Sequence, residues 1–322
     1  MNKCPDNTFI YMTNRNEMKG KVLIAGGSGL VGTRLTQLLS EDGYEVIVLS
    51  RSKKGKKDNF SFASWDPEKQ QIDDVAFSAD HVINLAGAGI ADQPWTDKRR
   101  KVLTDSRLIS TNFLCEEFRK NGSTLKTYIG ASAIGYYGDG GDSWQTEDQD
   151  PAYKSFMTEL CNDWEQAHSK FTAITDRLSI LRIGVVLSTK GGAYPKMRLP
   201  FKVGVGTYFG SGKQYYSWIH IDDLARIFIY LINDDSNSGI YNAVTPNPLT
   251  NKELTSTIKT ALDISGIIVP APAIALKLAM GQMSNVILNS NRVSAEKISQ
   301  AGFEFNYPTA EKAIKDIEQR SI

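Results

Sequence analysis

The 322-residue sequence predicts an α/β protein, a doubly wound parallel sheet with a smaller, discontinuous second domain towards the C-terminus. Three observations predict it. Short apolar, β-branched runs alternate with helical apolar periods from residue 21 onward. A glycine-rich turn joins the first run to the first helix, and a glycine-dense stretch after residue 187 interrupts the alternation. At about 150 residues per domain the length admits two.

The elements follow in order. Residues 21–25 are the first apolar run and 26–32 the turn; Leu35, Leu38 and Leu39 then fall at helical spacing before Gly43 ends the helix. Residues 44–49 are apolar and β-branched again, so the segment is a βαβ unit with a right-handed crossover. Strands at 81–85, 126–132 and 178–186 alternate with helices at 97–120 and 155–169, which covers the sheet on both faces. Glycines at 191, 192, 204, 206, 210 and 212 then mark a loop-rich insert. Asp222 and Asp223 open an apolar helix with acids at its positive end, residues 240–244 read as a late strand, and helices predominate from 251. The main domain is therefore expected at 19–187 and 218–245, and the smaller one at 188–217 and 246–322. Residues 1–18 lack a signal-peptide pattern or any period and are expected to be a disordered tail, with Met18 an alternative start of translation.

Composition narrows the function. Apolar residues make up 41% and charged residues 23%, and 37 Lys+Arg against 36 Asp+Glu leave a net charge of +1, which argues against a nucleic-acid partner. The longest apolar stretches, 82–91 and 266–276, are about half of the roughly 20 residues a membrane span needs. Three cysteines without metal-type spacing point to no disulfide framework, no metal site and a reducing, cytoplasmic setting. A small-molecule substrate is expected, with monomer and homodimer both open.

The turn GGSGLVG places Gly26, Gly29 and Gly32 at its first, fourth and seventh positions. The first permits the sharp turn, the second lets backbone approach a pyrophosphate, and the third lets the helix pack on the strand. Helix N–H groups face the phosphates, so the candidate phosphate-binding segment runs through Gly26, Ser28, Gly29, Leu30 and Val31. At the end of the second strand an acid would accept from a ribose 2′-hydroxyl. Here stand Ser50 and Arg51, which suit a 2′-phosphate and hence NADP. Lysines 53, 54, 56 and 57 follow, and most are explained as a solvated loop.

At this point the chain resembles the extended short-chain dehydrogenase/reductases, and within them the atypical epimerase-family subgroup of predicted nucleoside-diphosphate-sugar epimerases, some labelled cell-division inhibitors. The resemblance runs from Lys21 to about Ile317 on AGGSGLVG (25–32), SR (50–51), WDP (65–67), INLAG (83–87), SRLIST (106–111), SAIGYYG (132–138), RIGVVL (182–187), GSGKQ (210–214), WIHIDDLA (218–225) and GFEFNYP (302–308). It implies a Rossmann domain. It further implies that Leu85, Ala86 and Gly87 lie against the adenosine side, that Arg107 meets the cofactor phosphates, and that Ala131, Ser132 and Val185 border the nicotinamide.

The departures from the family pattern concern catalysis. No tyrosine is followed four residues later by lysine, and the two places fall on Met157 and Cys161. Tyr153 and Lys154 are adjacent in sequence and cannot share a helix face. Ser132 and Tyr137 are the hydroxyls left as catalytic candidates, although one alignment puts Ala133 in the serine's place. Tyr216 stands where sugar-nucleotide epimerases have a diphosphate-clamping arginine, with Lys213 a point-charge substitute, and Ala88 stands where the subgroup has glutamate. His220, Asp222 and Asp223 read as a capped helix start rather than a metal site. Tyr136–Tyr137 and residues 215–218 either line a cleft or pack a domain interface, and Cys161 is a cleft-lining or core thiol. Two functions follow: an NADP(H)-dependent oxidoreductase or epimerase-like enzyme on a carbonyl, alcohol or nucleotide-linked substrate, or an NADP(H)-binding regulatory or redox-sensing protein without turnover.

Overall fold

The structure is a computed structural model that describes residues 18–52, 55–57 and 60–320. The expected tail, apart from Met18, lies outside the described residues, as do Cys4, Lys53 and Lys54.

Among the described residues one sheet of nine strands carries the fold: β1 (Lys21–Ala25), β2 (Glu45–Ser50), β3 (Gly55–Lys57), β4 (Phe60–Asp66), β5 (Gln71–Ile72), β6 (His81–Asn84), β7 (Leu125–Ala133), β8 (Thr175–Ile183) and β9 (Gly239–Ala243). Its order is β9-β8-β7-β6-β1-β2-β4-β3, with β5 paired to β4. Neighbours run parallel except β3 and β5, which lie antiparallel to β4. The chain leaves β1 towards β2 and later returns to its other side at β6. That reversal opens a crevice at the C-terminal ends of β1 and β6, where open α/β sheets bind ligands.

Alternation along each strand explains the layers. Val22 and Ile24 of β1, with Val46 and Val48 of β2, belong to one buried cluster, while Leu23, Ala25, Ile47 and Leu49 belong to another. A strand buried on both faces must be apolar throughout, and successive side chains point to opposite faces. Helices α1 (Leu30–Glu41) and α4 (Ile221–Asn233) supply the first cluster, and α2 (Asp97–Asn121) the second. Helix α3 (Phe156–Ser169) starts at a capping box between Ser155 and Thr158, and α2 ends on left-handed Gly122.

Three expectations need correction. The strand expected at 178–186 is two strands, because the backbone changes partner at Gly184: Gly184 N donates to Ala243 O at 3.1 Å, and Val185 N to Ser217 O at 2.9 Å. There the chain leaves the sheet, and Val185–Leu187 pairs instead with Trp218–His220. The insert after 187 is also more ordered than expected. Val205–Phe209 pairs with Ile267–Ala271 and Tyr215–Tyr216 with Leu249–Thr250, short strands whose flanking glycines hide them. Finally, β4 was not foreseen: its sequence FSFASWD mixes small polar residues among aromatics, and only Ala63 and Trp65 are fully buried. A third core, including Leu187, Tyr194, Trp218, Leu254 and Ile314, holds the insert against the C-terminal helices. Among the described residues no helix is long and apolar enough to cross a membrane.

Behind β7 the His168 ring is fully buried; Nε2 lies 3.0 Å from the Ala131 carbonyl oxygen and Nδ1 2.7 Å from the Tyr128 hydroxyl. The carbonyl can only accept, so Nε2 carries the proton and Nδ1 accepts from Tyr128. Burial pushes this imidazole from 6.5 down to about 3, and likewise His81 to about 4. The unfolded chain therefore takes up protons below pH 6.5 that the fold refuses, so stability is complete above that pH and falls towards pH 3. At pH 5 His168 alone is expected to cost about 2 kcal/mol. Urea unfolding at pH 7.5 and 5 measures this, and equal midpoints would contradict it.

Candidate functional site

The crevice begins at the glycine turn. Gly26 has φ +80°, and a Cβ there would lie 2.7 Å from the backbone of Leu85, so only glycine lets the two loops touch. A Cβ on Gly32 would meet the Gly27 backbone at 2.5 Å, which fixes how closely α1 approaches the turn. No side chain caps the start of α1 at Gly29, so its first N–H groups remain available to an anion.

The opposing loop is held by a residue that sequence reasoning did not single out. Asn84 is fully buried at the end of β6; its Oδ1 accepts from Ala86 N at 3.0 Å, and its Nδ2 donates to Thr111 Oγ1 at 3.0 Å and Tyr128 Oη at 3.2 Å. A satisfied amide in a dry strand is a rigid anchor, and it fixes residues 85–87 against Gly26. Its signal was a lone amide in the apolar run HVINLAG.

Gly26, Ser28, Gly29, Ser50, Arg51, Leu85, Ala86 and Gly87 line one cavity of about 430 Å³, together with Trp65, Asp66, Pro67 and one face of α2. Ser50 is buried at the end of β2 and accepts from Ser52 N, while Arg51 is exposed and forms no ion pair among the described residues. No acid ends β2; the acids of the cavity stand at Asp66, the last residue of β4, at Glu68 beyond it, and at Asp105 of α2. Leu30 and Val31 open α1 without lining the cavity, and Leu30 faces the turn at Gly191. Ala131 is buried beside His168, and Val185 is half-buried against the third core. Arg107 donates to Leu103 O at 2.9 Å and Ala88 O at 3.1 Å, with its guanidinium 4.9 Å from the Trp164 ring. Burial holds its pKa below the ordinary range.

Ser132 and Tyr137 meet on a buried network rather than on the cavity wall. Ser132 Oγ donates to Glu165 Oε1 at 2.6 Å, and Arg182 grips the same carboxylate with Nε and Nη2, both at 2.9 Å. Arg182 Nη1 donates at 3.1 Å to Tyr137 Oη, which donates to Asn242 Oδ1 at 2.7 Å. Burial pushes the Tyr137 phenol up to about 12. Glu165 and Arg182 were also missed, although an arginine inside SILRIGVVL was a visible anomaly. Met157 and Cys161 lie over Gly135, and Cys161 is a core thiol that burial pushes to about 12.

The remaining candidates are structural here. His220, not an aspartate, caps α4, accepting from Asp222 N at 3.0 Å. Asp222 pairs with Arg34 at 2.6 Å and with Arg320, and Asp223 accepts from Asn306 N and Tyr307 N. Tyr216 is buried and bonds Ile287 O at 2.7 Å, and Lys213 is exposed. The Tyr153 hydroxyl accepts from Asn289 Nδ2 at 2.9 Å.

Comparison with known proteins agrees with this fold. The model of the NAD dependent epimerase/dehydratase family matches residues 22–243, and that of a domain of unknown function, DUF1731, matches 271–317. The chain is 34% identical to the epimerase family protein SA0724 of Staphylococcus aureus over 301 residues, 92% of this chain and 98% of that one. Among solved structures it is similar to the human epimerase family protein SDR39U1 with NADPH, at a TM-score of 0.83 and 31% identity over 93% of this chain and 99% of that one. The nucleoside-diphosphate sugar epimerase from Corynebacterium glutamicum follows at a TM-score of 0.73 and 32% identity, covering 92% of this chain and 57% of that one. The chain therefore has a Rossmann-type, NAD(P)-binding fold and belongs to the NAD dependent epimerase/dehydratase family, in the atypical short-chain dehydrogenase/reductase branch.

Proposed function

We propose that the protein binds NADP(H) and acts as an oxidoreductase or epimerase-like enzyme on a carbonyl, alcohol or nucleotide-linked substrate. The observation that carries this is Ser50 and Arg51 at the end of β2, lining the same cavity as the glycine turn with no acid at that strand end. A guanidinium there offers charge-assisted hydrogen bonds to a 2′-phosphate, and an acid would repel one. NADPH in the similar human protein supports the reading.

The residues fit the cofactor: the glycine turn and the uncapped start of α1 would hold its pyrophosphate, Leu85 to Gly87 its adenosine side, and Arg107 a phosphate. The backbone N–H groups of Leu30 and Val31, whose side chains do not line the cavity, would face the pyrophosphate, and Ala131 and Val185 would border the nicotinamide. When bound, the nicotinamide accepts or supplies a hydride. The chain itself must move the accompanying proton, and Ser132 and Tyr137 are the proposed hydroxyls. Ser132 is the stronger of the two, because its hydrogen already points to a carboxylate, whereas the raised phenol of Tyr137 gives up its proton less readily.

Standard 4-epimerisation of UDP-sugars is not expected. A thioether at 157 has no proton to exchange, and a neutral thiol at 161 supplies no fixed charge. Loss of that acid–base assistance is worth about 10² to 10⁴ in rate. UDP- and dTDP-sugars incubated with either cofactor and separated by chromatography test this, and robust turnover unaffected by Ser132→Ala and Tyr137→Phe would overturn the assignment.

A second reading, binding without turnover, draws on the burial of both hydroxyls, which are 3% and 1% exposed. A metabolite panel followed at 340 nm separates the two. Substrate-dependent oxidation of NADPH supports the enzyme, and tight NADPH binding with no turnover across carbonyl classes supports the sensor.

A further inference from the structure

We infer that Arg99, Arg100 and Lys196 form an oxyanion subsite beside the dinucleotide cavity, built for a carboxylate or phosphate carried by the substrate. The inference rests on the oxidoreductase reading and narrows its substrate class.

Helix α2 shows one stripe to the cavity: Val102, Ser106 and Ile109 line it. Arg99 stands three residues before Val102 and seven before Ser106, so it continues that stripe towards the helix start. The loop after β6 gathers the cations. Ala88 O accepts from Arg107 at 3.1 Å, Gly89 O from Arg99 Nη2 at 2.6 Å, and Ala91 O from Lys196 Nζ at 3.2 Å. Arg100 Nη2 reaches Gln282 Oε1 at 2.7 Å, and its guanidinium lies 5.5 Å from the Phe156 ring, itself edge-on to Trp95.

Carbonyl oxygens orient Arg99 and Lys196, and among the described residues neither Lys196 nor Arg100 has an ion pair. Arg99 has one, to Asp92 at 3.8 Å, too long for a hydrogen bond and with the Asp92 side chain 69% exposed. Asp105 is taken by Lys101 at 2.7 Å, and Asp97 is exposed in the first turn of α2. Arg99 is only 12% exposed, and the Nε atoms of Arg99 and Arg100 are buried with no hydrogen-bond partner among the described residues. Two guanidiniums so placed, each with an unused donor and that of Arg100 against the Phe156 ring, favour an anion, because buried charge without full compensation is costly and attraction strengthens away from water. The charge of Arg99 is felt at Arg107, whose pKa is lowered first by burial and in part by Arg99. Arg107 itself is left to the dinucleotide.

The test uses the full chain saturated with NADP⁺ and titrated with inorganic phosphate or with pyruvate, following the melting temperature. Saturable stabilisation by either probe is expected, and the stronger probe names the substrate's anion. Arg99→Met should weaken that binding at least tenfold and Arg99→Lys less, with NADPH affinity changed by less than twofold. Lys101→Met removes the same charge from the same helix and should have no such effect. No saturable effect of either probe on a protein that binds NADPH overturns the subsite, as does equal weakening by Lys101→Met. Failure to bind NADPH at all overturns the cofactor reading instead.

Discussion

Glu165→Ala should lower stability by about 3–5 kcal/mol, because it leaves the Arg182 guanidinium buried without its carboxylate. The pair is deeply enclosed, with side chains 2% and 9% exposed, and each of its two contacts is 2.9 Å long. Once the carboxylate is gone, Arg182 keeps, among the described residues, the Tyr137 hydroxyl and ring, the Glu147 carbonyl and the face of Tyr136 at 3.5 Å. None of these carries a full negative charge. The melting temperature should fall by roughly 4–7 °C for a chain of this size. The double variant Glu165→Leu with Arg182→Met should recover most of the loss, since apolar residues avoid both desolvation costs. Thermal melts followed by circular dichroism measure both, and a loss under 1 kcal/mol in Glu165→Ala would contradict the assignment.

Arg51→Ala should abolish the preference for NADP(H) over NAD(H), lowering NADP affinity about 10- to 100-fold while NAD affinity changes little. A charge-assisted hydrogen bond contributes about 1.5–3 kcal/mol, and tenfold in affinity corresponds to about 1.4 kcal/mol. Arg51 makes no ion pair among the described residues, so the substitution breaks no such contact in the fold. Fluorescence titration of NADPH and NADH with both proteins measures the ratio. An unchanged ratio in the variant would place selection elsewhere, with the lysines after Arg51 as the next residues to test.

How much was legible depended on whether a position is governed by local or distant partners. The glycine turn was legible because φ and close approach at Gly26 are local demands that only glycine meets. Strands β1, β2 and β6 announced themselves because burial on both faces enforces apolar runs. By contrast β4 stays half-buried on the β3 side of the sheet, so its sequence carries no clear period. The break at Gly184 was hidden because its cause, the Ser217 backbone, lies in another segment. Ser132 and Tyr137 could be nominated by family position, but Glu165 and Arg182, which bind them together, come from a helix and a strand with no sequence link between them. Long-range polar pairing of this kind leaves only a faint trace, a charge in an otherwise apolar strand.

The proposed function requires that Arg51 and the glycine turn form an NADP(H) site. Isothermal calorimetry of the parent protein with NADP⁺ and NAD⁺ at matched salt tests it most directly. At least tenfold tighter binding of NADP⁺ is expected. Equal affinity for the two, or tighter binding of NAD⁺, would contradict it.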